Sequence, residues 1–409
     1  MNTINESTWC VNAFHGMSAN NDGSTKTCCM IKESYNKLIG PSKVNYNLLD
    51  LSIQKNFNNP KVIEIRNNLS QGIKDPACIR CWVEEDSERK SKRMRDNERY
   101  FHEVQWGQRQ PFTGLAKFEL NLGNTCNIKC RTCHASISSQ WMKEDFDLNH
   151  SNHKTFQQYS SEMKRYHQSY DDESPFWEDL KNNLSTIKQF DFYGGEPFLS
   201  KKMWEILKIC VEKGYSKDIE LHYNTNGTTW PAEIELWKNF RSINLSFSID
   251  GTDKQFEFMR FPANWQEVCK NMEKAVEFKK EYPFMNLSWC VTLSTLNIFY
   301  LPEILNEYYR SFLDFGLYLN LVHDPVHFNM SKIPNGIKDE IISKLETIDK
   351  SYTQAWYQLP GIIGFIKHGT PDMSNWSNFL KTVKIHDQYR KQNYFEIFPE
   401  FAEVIKKYE

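Results

Sequence analysis

Cys126, Cys130 and Cys133 follow the spacing C-x3-C-x2-C, and three thiolates on one short loop can hold three irons of a [4Fe–4S] cube. The fourth iron is then left without a protein ligand, which makes it a place for chemistry. A tetrahedral structural zinc site wants a fourth ligand, and the nearest, His134, directly follows Cys133 and would have to fold back on its neighbour. A second group, Cys10, Cys28, Cys29, Cys78 and Cys81, lies towards the N-terminus. Cys78-x2-Cys81 puts two sulfurs on one turn, and Cys10 with Cys28 can complete a four-thiolate site once the chain folds. On spacing alone such a site takes zinc or an iron–sulfur cluster. Adjacent residues rarely both reach one cluster, so Cys28 is preferred and Cys29 is its alternative. Of the eleven cysteines, Cys210, Cys269 and Cys290 remain, and they read as small core hydrophobes on two apolar helix faces and one strand.

These residues need a frame. From about Leu115 onward short apolar strands alternate with amphipathic helices, the pattern of βα repeats around a parallel sheet. Strands are expected at Lys117–Leu122, Ile187–Tyr193, Ile219–Tyr223, Ile243–Ile249, Asn286–Leu293 and Leu317–Val322. Met203, Ile206, Leu207, Cys210 and Val211 recur at helical spacing, with Ser200 as N-cap and Gly214 just past the end. Trp265, Val268, Met272 and Ala275 do the same after the fourth strand. Six repeats are too few to close like an eight-stranded barrel, so an open partial barrel or a doubly wound sheet is expected, with function at the C-terminal strand ends. The first cysteine loop follows the first of these strands. Gly194-Gly195-Glu196-Pro197 follows the second; two glycines let backbone approach a ligand, and a carboxylate beside carbonyls suits an ammonium group.

The combination of C-x3-C-x2-C after one strand and Gly-Gly-Glu after the next resembles the radical S-adenosylmethionine (SAM) superfamily. Asn224-Thr225-Asn226-Gly227 and Ser248-Ile249-Asp250-Gly251 at the next two strand ends fit the same order. The resemblance runs from about Phe118 to Asn297. It implies a partial (β/α)6 barrel in which Cys126, Cys130 and Cys133 bind the cluster and Gly194, Gly195 and Glu196 bind the SAM amino group. Ser248, Asn226 and Asp250 would then contact the SAM ribose and carboxylate, with Arg260 as a further candidate for the carboxylate. Thr132 departs from the pattern, since many members have an aromatic residue there. Cys10, Cys28, Cys78 and Cys81, with Gly23 shortly before the Cys-Cys pair, resemble the twitch and SPASM auxiliary-cluster modules, although those usually follow the barrel and this one precedes it.

The expected organisation is an auxiliary-cluster module over 1–110, the barrel over 111–325 and a helical C-terminal extension over 326–409. In the first part, Pro60 opens a helix whose face is Val62, Ile65, Leu69 and Ile73, and the charge run Glu84–Tyr100 reads as a solvated helix. Phe146–Glu173 reads as a polar surface insertion. His150-x2-His153 within it lacks a ligand framework. His323 and Asp324, at the end of the sixth strand, are candidates for proton transfer or substrate orientation.

Lys and Arg number 50 against 52 Asp and Glu, a formal net charge of −2, so nothing global favours nucleic acid or an anionic membrane. No secretory leader pattern and no long apolar run are seen, which points to a cytoplasmic protein with reduced thiols. The resemblance implies an enzyme, an iron–sulfur oxidoreductase. It would cleave SAM reductively to a 5′-deoxyadenosyl radical and abstract hydrogen from a substrate C–H bond, supplied by an external electron donor such as a flavodoxin or ferredoxin. A peptide or protein substrate is favoured, undergoing oxidation, cross-linking or epimerisation. The alternative is dehydrogenation or epimerisation of a sugar-like or aminocyclitol small molecule, and the non-enzymatic alternative is an iron–sulfur or zinc scaffold.

Overall fold

A computed structural model describes residues 7–31, 46–103, 114–149, 153–166 and 170–408. His150 and the expected boundary at 110/111 lie outside the described residues. Eight strands form one sheet: β1 (Gly16–Ala19), β2 (Thr25–Lys26), β3 (Lys117–Asn121), β4 (Gln189–Tyr193), β5 (Glu220–Thr225), β6 (Ser242–Ser248), β7 (Met285–Leu293) and β8 (Gly316–Leu321). Their order is β2-β1-β3-β4-β5-β6-β7-β8. β2 is antiparallel to β1, and the other neighbours are parallel. β3 to β8 are the six expected strands, each end within two residues of expectation. The helices over Lys201–Glu212 and Trp265–Glu281 are also present, the first capped by Ser200, whose Oγ accepts from the Met203 N–H at 3.3 Å.

Alternation along the strands divides the sheet into two chemically different faces. Phe118, Leu120, Phe190, Phe192, Leu221, Leu245, Phe247, Trp289 and Val291 are buried in the main apolar core. The intervening positions, Glu119, Asp191, His222, Ser246, Ser288, Cys290 and Tyr318, make the other face polar. Cys290 therefore sits among polar neighbours and is only half-buried, rather than serving as core filler; Cys269 is half-buried as well, and Cys210 is fully buried.

The helix Lys92–Glu103 packs against the polar face. Lys92 Nζ reaches Glu119 at 3.4 Å and Asp96 at 3.0 Å; Lys117 Nζ reaches Asp96 and Asp191, both at 3.2 Å. Arg95 donates to Tyr318 Oη on β8 at 2.7 Å, and Arg99 pairs with Glu220 on β5. In a flat sheet β3 and β8 would lie about 24 Å apart, at ~4.8 Å per strand. Residues three apart on one helix touch both, so the sheet curls around this helix. The charge run is thus not wholly solvated: tertiary ion pairs hold Lys92, Asp96 and Arg99 against the sheet, while Asp86, Lys90 and Glu98 stay exposed. Burial alone would raise the Asp96 carboxyl, but Lys117 and Lys92 hold it far below the usual carboxylate range.

The N-terminal residues also differ from a free-standing module. β1 continues the parallel sheet in register with β3, Gly16 opposite Lys117 and Ala19 opposite Leu120. A small core of Ala13, Ile65, Leu69, Ala77 and Trp82 packs beside it. The helix Pro60–Ser70 buries Val62, Ile65 and Leu69, while Ile73 lies past its end and is exposed. Beyond β8 the chain is helical, with its longest helix at Met373–Arg390.

Candidate active site

Cys126, Cys130 and Cys133 stand on the loop leaving the C-terminal end of β3. Two long-range backbone bonds from Lys129 N to Phe261 O, 2.7 Å, and from Arg131 N to Met259 O, 2.8 Å, hold this loop, while Ser138 Oγ donates to Ile128 O at 2.6 Å. The three thiols carry no disulfide, and each is raised, first by burial. Repulsion from Cys133 and Cys126 adds to the rise at Cys130, and Cys133 is pushed up to about 11 by burial and then Cys126. Crowded sulfurs of this kind become good thiolate donors when a cationic group arrives to bind them. The donor set fits a [4Fe–4S] cluster with one open iron.

The Gly-Gly turn is built onto that loop. Gly194 and Gly195 have φ of +83° and +57°. A Cβ at Gly195 would lie 2.3 Å from Thr125 O, and one at Gly194 2.1 Å from the Asn121 side chain. Only glycine permits both the left-handed backbone and this approach. Glu196 N donates back to Thr125 O at 2.8 Å. The Glu196 side chain turns inward and accepts from Thr225 Oγ1 at 2.8 Å, Asn226 N at 2.7 Å and Phe198 N at 3.3 Å. Burial outweighs these donors and pushes its carboxyl up to about 7. Asn226 Nδ2 points towards Cys126 Sγ at 3.9 Å and donates to Asn127 Oδ1 at 3.0 Å.

Arg260 is committed within the protein. Its guanidinium pairs with Asp250 at 2.7 Å and donates to Cys130 Sγ at 3.7 Å. Asp250 also accepts from Thr292 N at 2.9 Å. Ser248, at the end of β6, lies opposite Cys290 in register. His323 Nε2 lies 3.3 Å from Glu84 Oε1, and Asp324 pairs with Arg80. Both partners belong to the helix Ile79–Asp86, which carries Cys81.

Cys10, Cys28, Cys78 and Cys81 influence one another electrostatically, all raised chiefly by burial, Cys81 up to about 12. Cys29 turns the other way: its N–H donates to Glu119 at 2.6 Å and its Sγ lies 3.5 Å from the same carboxylate. Among the described residues no three His, Cys, Asp or Glu side chains are grouped closely enough to hold a single metal ion. None of the described helices is long and apolar enough to cross a membrane.

Residues 120–315 match the family model described as the Radical SAM superfamily. The chain carries a radical SAM domain. Such a domain implies a [4Fe–4S] cluster and SAM, and its matched span contains both the cysteine loop and the Gly-Gly turn. No curated protein matches the sequence. Among solved structures, native anSMEcpe with bound AdoMet and Cp18Cys peptide is similar at 18% identity over 59% of this chain and 61% of that one, TM-score 0.38. SuiB of Streptococcus suis bound to precursor peptide SuiA is similar at 12% identity over 70% and 51%, TM-score 0.30. The chain thus spans about three fifths or less of the length of these proteins.

Several residues of the site escaped sequence reasoning. Arg131 and Lys129 on the loop, Glu144 and Trp141 just after it, and Asp387 and Arg390 in the C-terminal extension form one buried group around the cysteines. A charged residue on each side of Cys130 was the available signal. Their partners lie some 250 residues away, where no spacing rule reaches.

Proposed function

We propose that this protein is a radical SAM enzyme that abstracts hydrogen from a C–H bond of a peptide or protein substrate. The adjacency of the Cys126, Cys130 and Cys133 loop and the Gly194–Gly195 turn, joined at Thr125, carries this reading. These three cysteines would hold a [4Fe–4S] cluster, which when reduced supplies the electron that splits bound SAM to methionine and a 5′-deoxyadenosyl radical. Gly194 and Gly195 bring backbone close enough to bind the SAM amino group. Glu196 acts by positioning: it ties that turn to the end of β5. Asn226 and Arg260 donate towards Cys126 and Cys130, where hydrogen bonds to sulfur favour electron uptake. Asp250 holds Arg260 in place, and Ser248 is left to contact SAM.

Cys10, Cys28, Cys78 and Cys81 would hold a second cluster, with His323 and Asp324 docking its helix to the barrel. The curled, open sheet and the resemblance to auxiliary modules support a peptide substrate over a sugar-like or aminocyclitol one. An external one-electron donor and a reducing compartment are part of the same reading.

The test is anaerobic reconstitution followed by iron and sulfide analysis and EPR. About eight irons per chain are expected for two cubes, and four with one zinc would make the N-terminal site structural. Reduced protein with SAM should release 5′-deoxyadenosine, and a Cys126→Ala variant that still did so would overturn the assignment. Candidate peptides and small metabolites in deuterated form then decide the substrate by transfer of label into 5′-deoxyadenosine in step with product.

A further inference from the structure

The C-terminal extension reaches the cysteine loop through charge. Arg390, with a side chain fully out of solvent, donates from Nε to both oxygens of Glu144 at 2.9 and 3.0 Å and from Nη1 to Lys129 O at 2.9 Å. Its guanidinium also lies 4.6 Å from the Trp141 ring centroid, and Trp141 Nε1 donates to Cys130 O at 2.9 Å. Arg131, 1% exposed, donates to Asp387 at 2.6 Å and to Gln392 at 2.8 Å, and lies over the Phe258 ring at 4.0 Å. Lys129 Nζ pairs with Glu144 at 2.8 Å. Three cations therefore face two carboxylates.

Other buried polar atoms reinforce the imbalance. Arg131 Nε and Nη1 and Arg390 Nη2 have no hydrogen-bond partner, although buried guanidinium groups normally find one for each N–H. A neutral fold would supply a third carboxylate here. An uncompensated cation is costly to bury unless negative charge lies near it, and three thiolates on the adjoining loop are that charge.

We propose that Arg390, from the C-terminal extension, together with Arg131 and Lys129, forms a buried cationic base under the cysteine loop that positions it and favours the reduced form of its cluster. This rests on the reading of Cys126, Cys130 and Cys133 as cluster ligands. The step concerned is the gain of one electron by the cluster from an external reductant, with no proton or bond transferred. Adding negative charge to a site is easier where excess positive charge is buried beside it. Arg390 is a positioning and tuning residue, since it touches the loop rather than substrate.

The experiment uses the full chain, reconstituted anaerobically, titrated with dithionite in the presence of redox mediators and followed through the EPR signal that changes on adding SAM. Arg390→Met should lower the ratio of reduced to oxidised cluster at a fixed potential about tenfold, which is ~59 mV for one electron. Arg390→Lys, which keeps the charge, should restore most of it. Glu144→Gln should move the ratio the other way, because it removes a carboxylate. Unchanged midpoints in all three variants at full iron content would overturn the proposal, as would Met and Lys variants that shift equally. If Arg390→Met fails to hold iron, Glu144→Gln decides: a higher reduced fraction supports the cationic base and an unchanged one refutes it. A parent chain lacking any SAM-responsive iron signal refutes the cluster reading itself and this proposal with it, an outcome distinct from failure of the variants alone.

Discussion

Glu196→Gln gives the chain a measurable pH signature. Free of strain, a glutamate loses its proton near 4.5; in the fold burial pushes Glu196 up to about 7, against the hydrogen bonds from Asn226, Thr225 and Phe198. Between those values the folded chain keeps a proton that the unfolded chain has released. Stability contributed by this group is therefore full below pH 4.5 and is lost as pH rises through 7, at 1.36 kcal/mol per pH unit, about 3 kcal/mol in all. Glutamine does not titrate, though its amide will mismatch one donor at a constant cost of ~1–2 kcal/mol. Urea denaturation of the metal-free, reduced chain and of the variant, at intervals from pH 4.5 to 8, gives the difference curve. The wild type should lose about 3 kcal/mol relative to the glutamine chain and then level off. A difference that stays flat across this range, or that grows in favour of the wild type, would refute the account of Glu196 as a buried carboxyl.

Other substitutions separate the remaining contributions. Gly195→Ala places a Cβ 2.3 Å from Thr125 O at a φ of +57°, so it should cost ~1–3 kcal/mol in a urea melt and reduce the iron retained after reconstitution. Cys28→Ala should halve the iron per chain, whereas Cys29→Ala, on the Glu119 side, should leave it unchanged by colorimetric assay. Asp324→Asn breaks a pair whose carboxylate is 49% exposed and should cost less than about 1 kcal/mol. Glu84→Gln leaves Arg89 and His323 without a buried carboxylate and should cost about 3 kcal/mol, read from the denaturation midpoint.

The six barrel strands could be read because each alternates or runs apolar between clear turn signals, and the cysteine loop because its spacing is local. The same period-2 pattern bears on Cys290: Asn286, Ser288 and Thr292 share its parity, so the sequence itself puts it on the strand's polar side. What escaped was non-local. Nothing in the run from Glu84 to Tyr100 announces that Lys92 and Asp96 meet β3 and Arg99 meets β5, because isolated charges look alike whether solvated or paired. Choosing between Cys28 and Cys29 likewise depends on which way one peptide turns against Glu119. Strand-end position alone points to Arg260 and His323, whereas the fold supplies them with Asp250, Cys130 and Glu84 as partners.

The Arg131–Asp387 contact spans 256 residues of chain. On the ribosome, at roughly 5–20 residues per second, the cysteine loop emerges some 13–50 s before the helix that braces it. Until then its three thiols, with Lys129 and Arg131 on the same loop, lie on a nascent chain that lacks Asp387 and Arg390. A chain interrupted short of residue 390 would be made with every cysteine in place and still lack the contacts that brace their loop.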